Sequence, residues 1–160
     1  MIGSFPMEED NRKIIKNAYR SLKTGGYLAV SVMNMELTEY LVPGSKKGGV
    51  SENPELLLDL KPGNIMQKTG DIFDPNYIVI DTSEDVVYRK EQFVEDDRLP
   101  AEYVIRDKRY RMDEITKMIE DEGFSVEKKA YVRAGHFDES LAATDRHAKE
   151  ILVIAKKYNI

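Results

Sequence analysis

Residues 11–34, NRKIIKNAYRSLKTGGYLAVSVMN, decide the fold. Ile14, Ile15, Ala18, Tyr19 and Leu22 recur at helical spacing and form one apolar stripe. Glu8, Glu9 and Asp10 precede the stripe, and Lys16, Arg20 and Lys23 lie towards its end. This order of charge suits the helix dipole. Gly25 and Gly26 end the helix, because glycine accepts the left-handed conformation of a C-terminal cap. Residues 27–33, YLAVSVM, then run almost without a polar break, as a strand buried on both faces does. Helix, glycine turn and buried strand make half of an α/β unit.

Working outward, residues 35–61 are broken by Pro43, Gly44, Gly48, Gly49 and Pro54. Short helices are expected at 36–41 and 54–60, the second started by Pro54. Residues 64–109 read as β-structure, with strands expected at 65–68, 77–80, 86–93 and 103–109. The last two alternate loosely between apolar and charged positions, as antiparallel strands with one solvated face do. In residues 110–124, YRMDEITKMIEDEGF, Met112, Ile115, Met118 and Ile119 share a helical face and Gly123 ends the helix. A strand over 126–132, a polar excursion over 134–149 with a short helix near 139–144, and a buried strand at 150–157 complete the chain.

The stretch RSLKTGGYLAVSVMN resembles the helix–turn–strand, leucine-lysine-proline-glycine-glycine in outline, of class I S-adenosylmethionine-dependent methyltransferases. Thr24 stands where that family favours proline. Tyr110, Glu114, Ile115, Gly123 and Phe124 fall in register with a second family helix, with Arg111 in place of the usual Thr or Ser cap. The resemblance implies an α/β fold: the C-terminal part of a Rossmann-like methyltransferase sheet. Residues 1–160 would form one partial domain, and 35–109 a loop and antiparallel insert roofing the substrate. The family's glycine-rich turn after a first strand and its ribose-binding acid have no counterpart here, since Gly25-Gly26 leads from a helix into a strand.

The resemblance places Ser4 and Phe5 beside the cofactor, S-adenosylmethionine; read as residues alone, they belong to a frayed terminus. Asn34, ending the buried strand, sits where open α/β sheets place ligands, unless its amide only caps the next turn. Arg109 and Tyr110 are candidates for an anionic substrate, against ordinary surface pairing. His136 is a candidate base or substrate contact, against a plain surface histidine. His136 and His147 are the only histidines, and no metal site is expected.

Hydrophobic content of 41% and charged content of 33% suit a globular domain. A net charge of −5 without a basic block argues against nucleic acid as the main partner. The absence of cysteine removes disulfides and thiolate chemistry. No apolar run reaches membrane-spanning length, and a cytoplasmic protein is expected. The functional expectation is the small-molecule substrate half of a methyltransferase, inactive alone. The alternatives are a non-catalytic binding or scaffold domain, and an unrelated small α+β domain. A strand as apolar as 27–33, left at a sheet edge, implies a homodimer or a partner chain that supplies the missing half.

Overall fold

The computed structural model describes residues 2–43, 46–64, 70–93 and 101–159, the side chain of Lys46 excepted. In chain order it has α1 (Glu8–Ser21), β1 (Tyr27–Met33), α2 (Met35–Leu41), β2 (Lys46–Lys47), β3 (Pro62–Gly63), β4 (Ile78–Asp81), β5 (Val86–Phe93), β6 (Ala101–Asp107), α3 (Met112–Asp121), β7 (Ser125–Arg133), β8 (His136–Leu141) and β9 (Glu150–Lys156). The chain divides into two compact units, Met1–Leu37 with Arg109–Ile160, and Thr38–Lys108. The architecture is α/β, as the sequence indicates.

In the first unit the sheet order is β1-β9-β7-β8. β9 runs antiparallel to both β1 and β7, so β1 and β7 point the same way. The main core joins Ile15 of α1 and Ile115, Met118 and Ile119 of α3 to Val30 and Val32 of β1 and Ile151, Val153 and Ala155 of β9. α1 and α3 thus serve one sheet face, and their 3.6-residue stripes meet the two-residue period of the strands. Leu152 and Ile154 face the other way and pack with Ala130 and Val132. An unbroken apolar run hides which phase faces which side.

The turn between α1 and β1 is built as the glycines suggest. Gly25 has φ +81, and a Cβ on Gly26 would lie 2.8 Å from the Lys23 carbonyl. Lys157, past β9, caps the end of α1: its Nζ donates to the carbonyls of Tyr19 (2.6 Å) and Leu22 (2.9 Å). It also sits 4.4 Å from the Tyr19 ring centre. A cation on orphan C-terminal carbonyls is the favourable sign of charge there.

Tyr19 meets Phe124 edge to face at 5.0 Å, which ties α1 to the end of α3. Gly123 lies between them with φ +100, and a Cβ there would come within 3.1 Å of the Tyr19 ring. Gly123→Ala should therefore cost about 1–2 kcal/mol from the left-handed backbone alone. An unchanged urea midpoint would contradict this packing.

The start of α3 solves a problem that the sequence poses. Arg111 cannot accept helix N–H bonds. Instead Glu114 reaches back and accepts the Arg111 backbone N–H at 2.9 Å, while its other oxygen takes the Arg111 guanidinium at 2.9 Å. This is the returning half of a capping box.

In the second unit β4, and beyond it β3, flank one side of β5, and β6 pairs along the other. β2 adds to β4 in parallel. Val50, Leu57, Leu60, Val79, Val86 and Tyr88 form its core. Asp81 is fully buried; its carboxylate accepts the backbone N–H groups of Val50 (3.0 Å) and Ser83 (2.8 Å) and so holds the loop before and the turn after. Residues 54–57 form a 3-10 turn rather than the longer helix expected at 54–60. The strand expected at 65–68 lies outside the described residues.

The excursion 134–149 differs from its sequence reading. Residues 136–141 form strand β8, hairpinned onto β7 through Ala134 and Gly135, with Gly135 at φ +77. The helix expected at 139–144 is absent. Five of the six β8 residues are exposed, so an edge strand with no buried face gives no periodic signal. Among the described residues, no helix is long and apolar enough to cross a membrane.

Candidate functional site

The carboxyl end of β1 gathers most of the candidate residues. Asn34 follows the strand directly and is fully buried. Its Oδ1 accepts the Leu37 N–H at 3.2 Å, which caps α2. Its Nδ2 donates to the carbonyls of Ala143 (2.9 Å) and Ala148 (2.8 Å), which anchors the loop between β8 and β9. Asn34 is at the sheet end where the sequence placed it, and its amide is committed to the protein.

Tyr110 lies next to it. Its N–H donates to the Met33 carbonyl at 3.0 Å and its carbonyl accepts the Met35 N–H at 2.8 Å, a parallel bridge to Asn34. Its side chain is 1% exposed, and that of Arg109 is fully buried. The surface pairing weighed for Arg109 and Tyr110 is therefore not what the structure shows: both side chains are enclosed. Burial pushes the Tyr110 phenol well above its ordinary pKa, and the charges of Glu8 and Glu114 add to that. Arg12 and the Asn11 amide pull the other way.

Asn11 is a residue that the sequence reading passed over. It occupies the first turns of α1, four before Ile15, and is fully buried. Its Oδ1 accepts the Gly3 N–H at 2.8 Å, and its Nδ2 donates to the carbonyls of Phe5 (2.7 Å) and Met7 (3.3 Å). One amide thus shapes the loop that carries Ser4 and Phe5. Gly3 turns with φ +90, Ile2 packs on the main core, and Ser4 and Phe5 are left exposed. The only sequence signal was an asparagine on the apolar stripe of α1, a position a surface residue would not take.

Three further groups stand at this end of the sheet, at the start of α2, the end of β7 and the start of β9. Burial pushes the Tyr131 phenol upward, and its hydrogen bond to Glu36 and the charges of Glu36 and Asp113 reinforce this. Tyr110 and Tyr131 therefore stay protonated at neutral pH. Glu36 has one buried carboxylate oxygen with no hydrogen-bond partner among the described residues. Burial pushes the Glu150 carboxyl up, and its hydrogen bond with Ser31 pulls it partly back.

Glu150 gives a pH prediction. Its folded-state pKa is raised, so its contribution to stability is fully present only below the ordinary carboxylate range, near pH 4. That contribution is lost as pH rises through the raised value. Glu150→Gln should flatten the fall in denaturation midpoint above about pH 4. An unchanged pH slope would contradict the burial of Glu150.

His136 is exposed and sits opposite Arg133 at the β7–β8 turn. It shares the carboxyl end of the sheet with Asn34, but three strand spacings away from β1, a separation of about 14 Å. His147 accepts a hydrogen bond from the neighbouring Arg146 Nε at 3.1 Å. Among the described residues, no group of three or more acidic, histidine or cysteine side chains is arranged for a metal ion. The structure thus brings Ser4, Phe5, Asn11, Asn34 and Tyr110 into one neighbourhood and leaves His136 at its margin.

No protein-family model matches the sequence, and no curated protein matches it. Solved structures do match by fold. The CcbJ methyltransferase from Streptomyces caelestis superposes with a TM-score of 0.60 at 11% identity, covering 98% of this chain and 56% of that one. An S-adenosylmethionine-dependent methyltransferase from Clostridium acetobutylicum gives 0.52 at 15% identity, covering 99% and 55%. The chain spans little more than half the length of either. Nearly all of the chain shares its fold with part of these Rossmann-like methyltransferases.

Proposed function

We propose that this chain is the substrate-side part of an S-adenosylmethionine-dependent methyltransferase acting on a small molecule, and that it is inactive without the polypeptide that grips the cofactor. One observation carries the reading: the fold match covers 98% of this chain but 56% of its neighbour. The sequence supports it, since no glycine-rich strand-to-helix turn is present to approach a cofactor closely.

Methyl transfer breaks a sulfonium–methyl bond, forms a methyl–acceptor bond and releases an acceptor proton. It depends chiefly on aligning acceptor and methyl group. In this reading the exposed Ser4 and Phe5, held by Asn11, line the cofactor side. Tyr110 and Arg109 form the buried wall next to Asn34, and His136 reaches in from the hairpin margin. Saturation-transfer NMR of the isolated chain against small amine, hydroxyl and carboxylate fragments tests this. Fragment contacts at Phe5 and Tyr110, with methyl transfer absent, are expected. Methyl transfer by the chain alone would refute the half-enzyme reading, and the absence of any fragment contact would favour a scaffold role.

A further inference from the structure

Strand edges decide how a sheet meets a second chain, and the edges of the second unit differ in how they are guarded. β2 and β3 are each only two residues long, which leaves little to pair with. β6 has no such guard. It pairs with β5 over all seven of its residues without a bulge, and among the described residues no strand lies on its other side. Residues 101–104 are exposed, Tyr103 by 56% and Val104 by 54%, and the strand holds no lysine or proline. Phe93 of β5 meets the Tyr103 ring edge to face at 5.7 Å.

We propose that β6 is the homodimer edge of this chain: two copies pair β6 to β6 antiparallel, with Val104 on the twofold axis. The sequence of the strand selects this occupant. Opposed residues of an antiparallel ladder share one phase, so a strand paired with its own copy is centred on a residue. Centred on Val104, AEYVIRD sets Glu102 against the partner's Arg106, twice, on one face with Val104 between them. On the other face Tyr103 meets the partner's Ile105, again twice. Moving the centre to Tyr103 or to Ile105 puts Val104 opposite Glu102 or Arg106 and loses both ion pairs. Within the chain, Arg106 holds Glu84 at 2.9 Å and Lys90 lies 3.7 Å from Glu102. These are surface pairs of small worth, and the five donors of an arginine serve two carboxylates at once. The paired sheet runs from β4 through β5 and β6 of one copy into those of the other, so main-chain hydrogen bonds supply affinity. β1, where the apolar run suggests a homodimer, has no charged residue to select a register.

Light scattering of the intact chain at micromolar concentration should give twice the 18.4 kDa chain mass. A monomer overturns the proposal. Amide exchange in residues 101–107 should slow as protein concentration rises, and slowing confined to residues 27–33 overturns it. Charge reversal then reads the register. Glu102→Arg and Arg106→Glu each set like charges opposite one another and should weaken the dimer at least about tenfold. Mixed in equal amounts, the two variants regain both ion pairs and should form a heterodimer, which a misfolded variant could not do. Dimers that survive both reversals, or a mixture that stays monomeric, overturn it. Val104→Lys, at an exposed position, brings two ammonium groups together across the axis and should give a folded monomer. A folded dimer of that variant overturns it. None of these readouts involves S-adenosylmethionine, so this proposal and the methyltransferase reading fail separately.

Discussion

Ile119→Ala should lower the unfolding free energy by about 2–5 kcal/mol. Ile119 is fully buried on the inner face of α3, where the helix closes on β1 and β9. Removing three methyl or methylene carbons forfeits transfer free energy and leaves a cavity that Ile115, Met118 and the β9 side chains cannot all relax into. The same truncation at Leu58, 74% exposed in the second unit, should change stability by less than about 0.5 kcal/mol. Urea denaturation of the two variants separates a core position from a surface one. Equal losses at both positions would remove α3 from the core.

Asn34→Asp should cost about 2–4 kcal/mol, although it changes only one heavy atom. The carboxylate keeps the oxygen that caps the Leu37 N–H. It loses both N–H donors and presents negative charge to the carbonyls of Ala143 and Ala148 at a fully buried site. Asn34→Ala loses the cap as well, but buries no charge. The account therefore expects Asp to be no milder than Ala at neutral pH, and to recover part of its stability as acid protonates it. The local reading is amide exchange in residues 142–149, which should quicken in both variants. An Asp variant as stable as the parent would mean that the Asn34 amide does not hold that loop.

The elements legible in the sequence are those whose burial is periodic. α1 and α3 show a stripe, and the expected 86–93 strand is β5 itself. β1 was legible as a strand from its apolar run, but it is buried only at Val30 and Val32 and not on both faces as the run suggests, because Tyr27 and Ala29 are exposed at the sheet edge. β8 was illegible because HFDESL is polar, exposed and paired on one edge only. The phase of β9 was illegible for the opposite reason: both faces are apolar, so no contrast separates Ile151, Val153 and Ala155 from Leu152 and Ile154.

The site was legible in place and less so in role. Asn34 was found from its position at a strand's end, but two partners distant in sequence, Ala143 and Ala148, decide what its amide nitrogen does. Asn11 was missed because an asparagine in a first helical turn normally faces water; here it satisfies the backbone of a preceding loop. Arg109 reads as a surface cation, and only the fold shows that it is enclosed. Such burial depends on non-local neighbours, to which local propensity is blind.

Under the proposed function, this chain carries the methyltransferase fold's substrate side without its cofactor grip. Isothermal titration of the isolated chain with S-adenosylmethionine tests it most directly. The expected result is no saturable heat at micromolar to high-micromolar ligand. Saturable one-to-one binding with a dissociation constant near 1 μM, about −8 kcal/mol, would contradict the account.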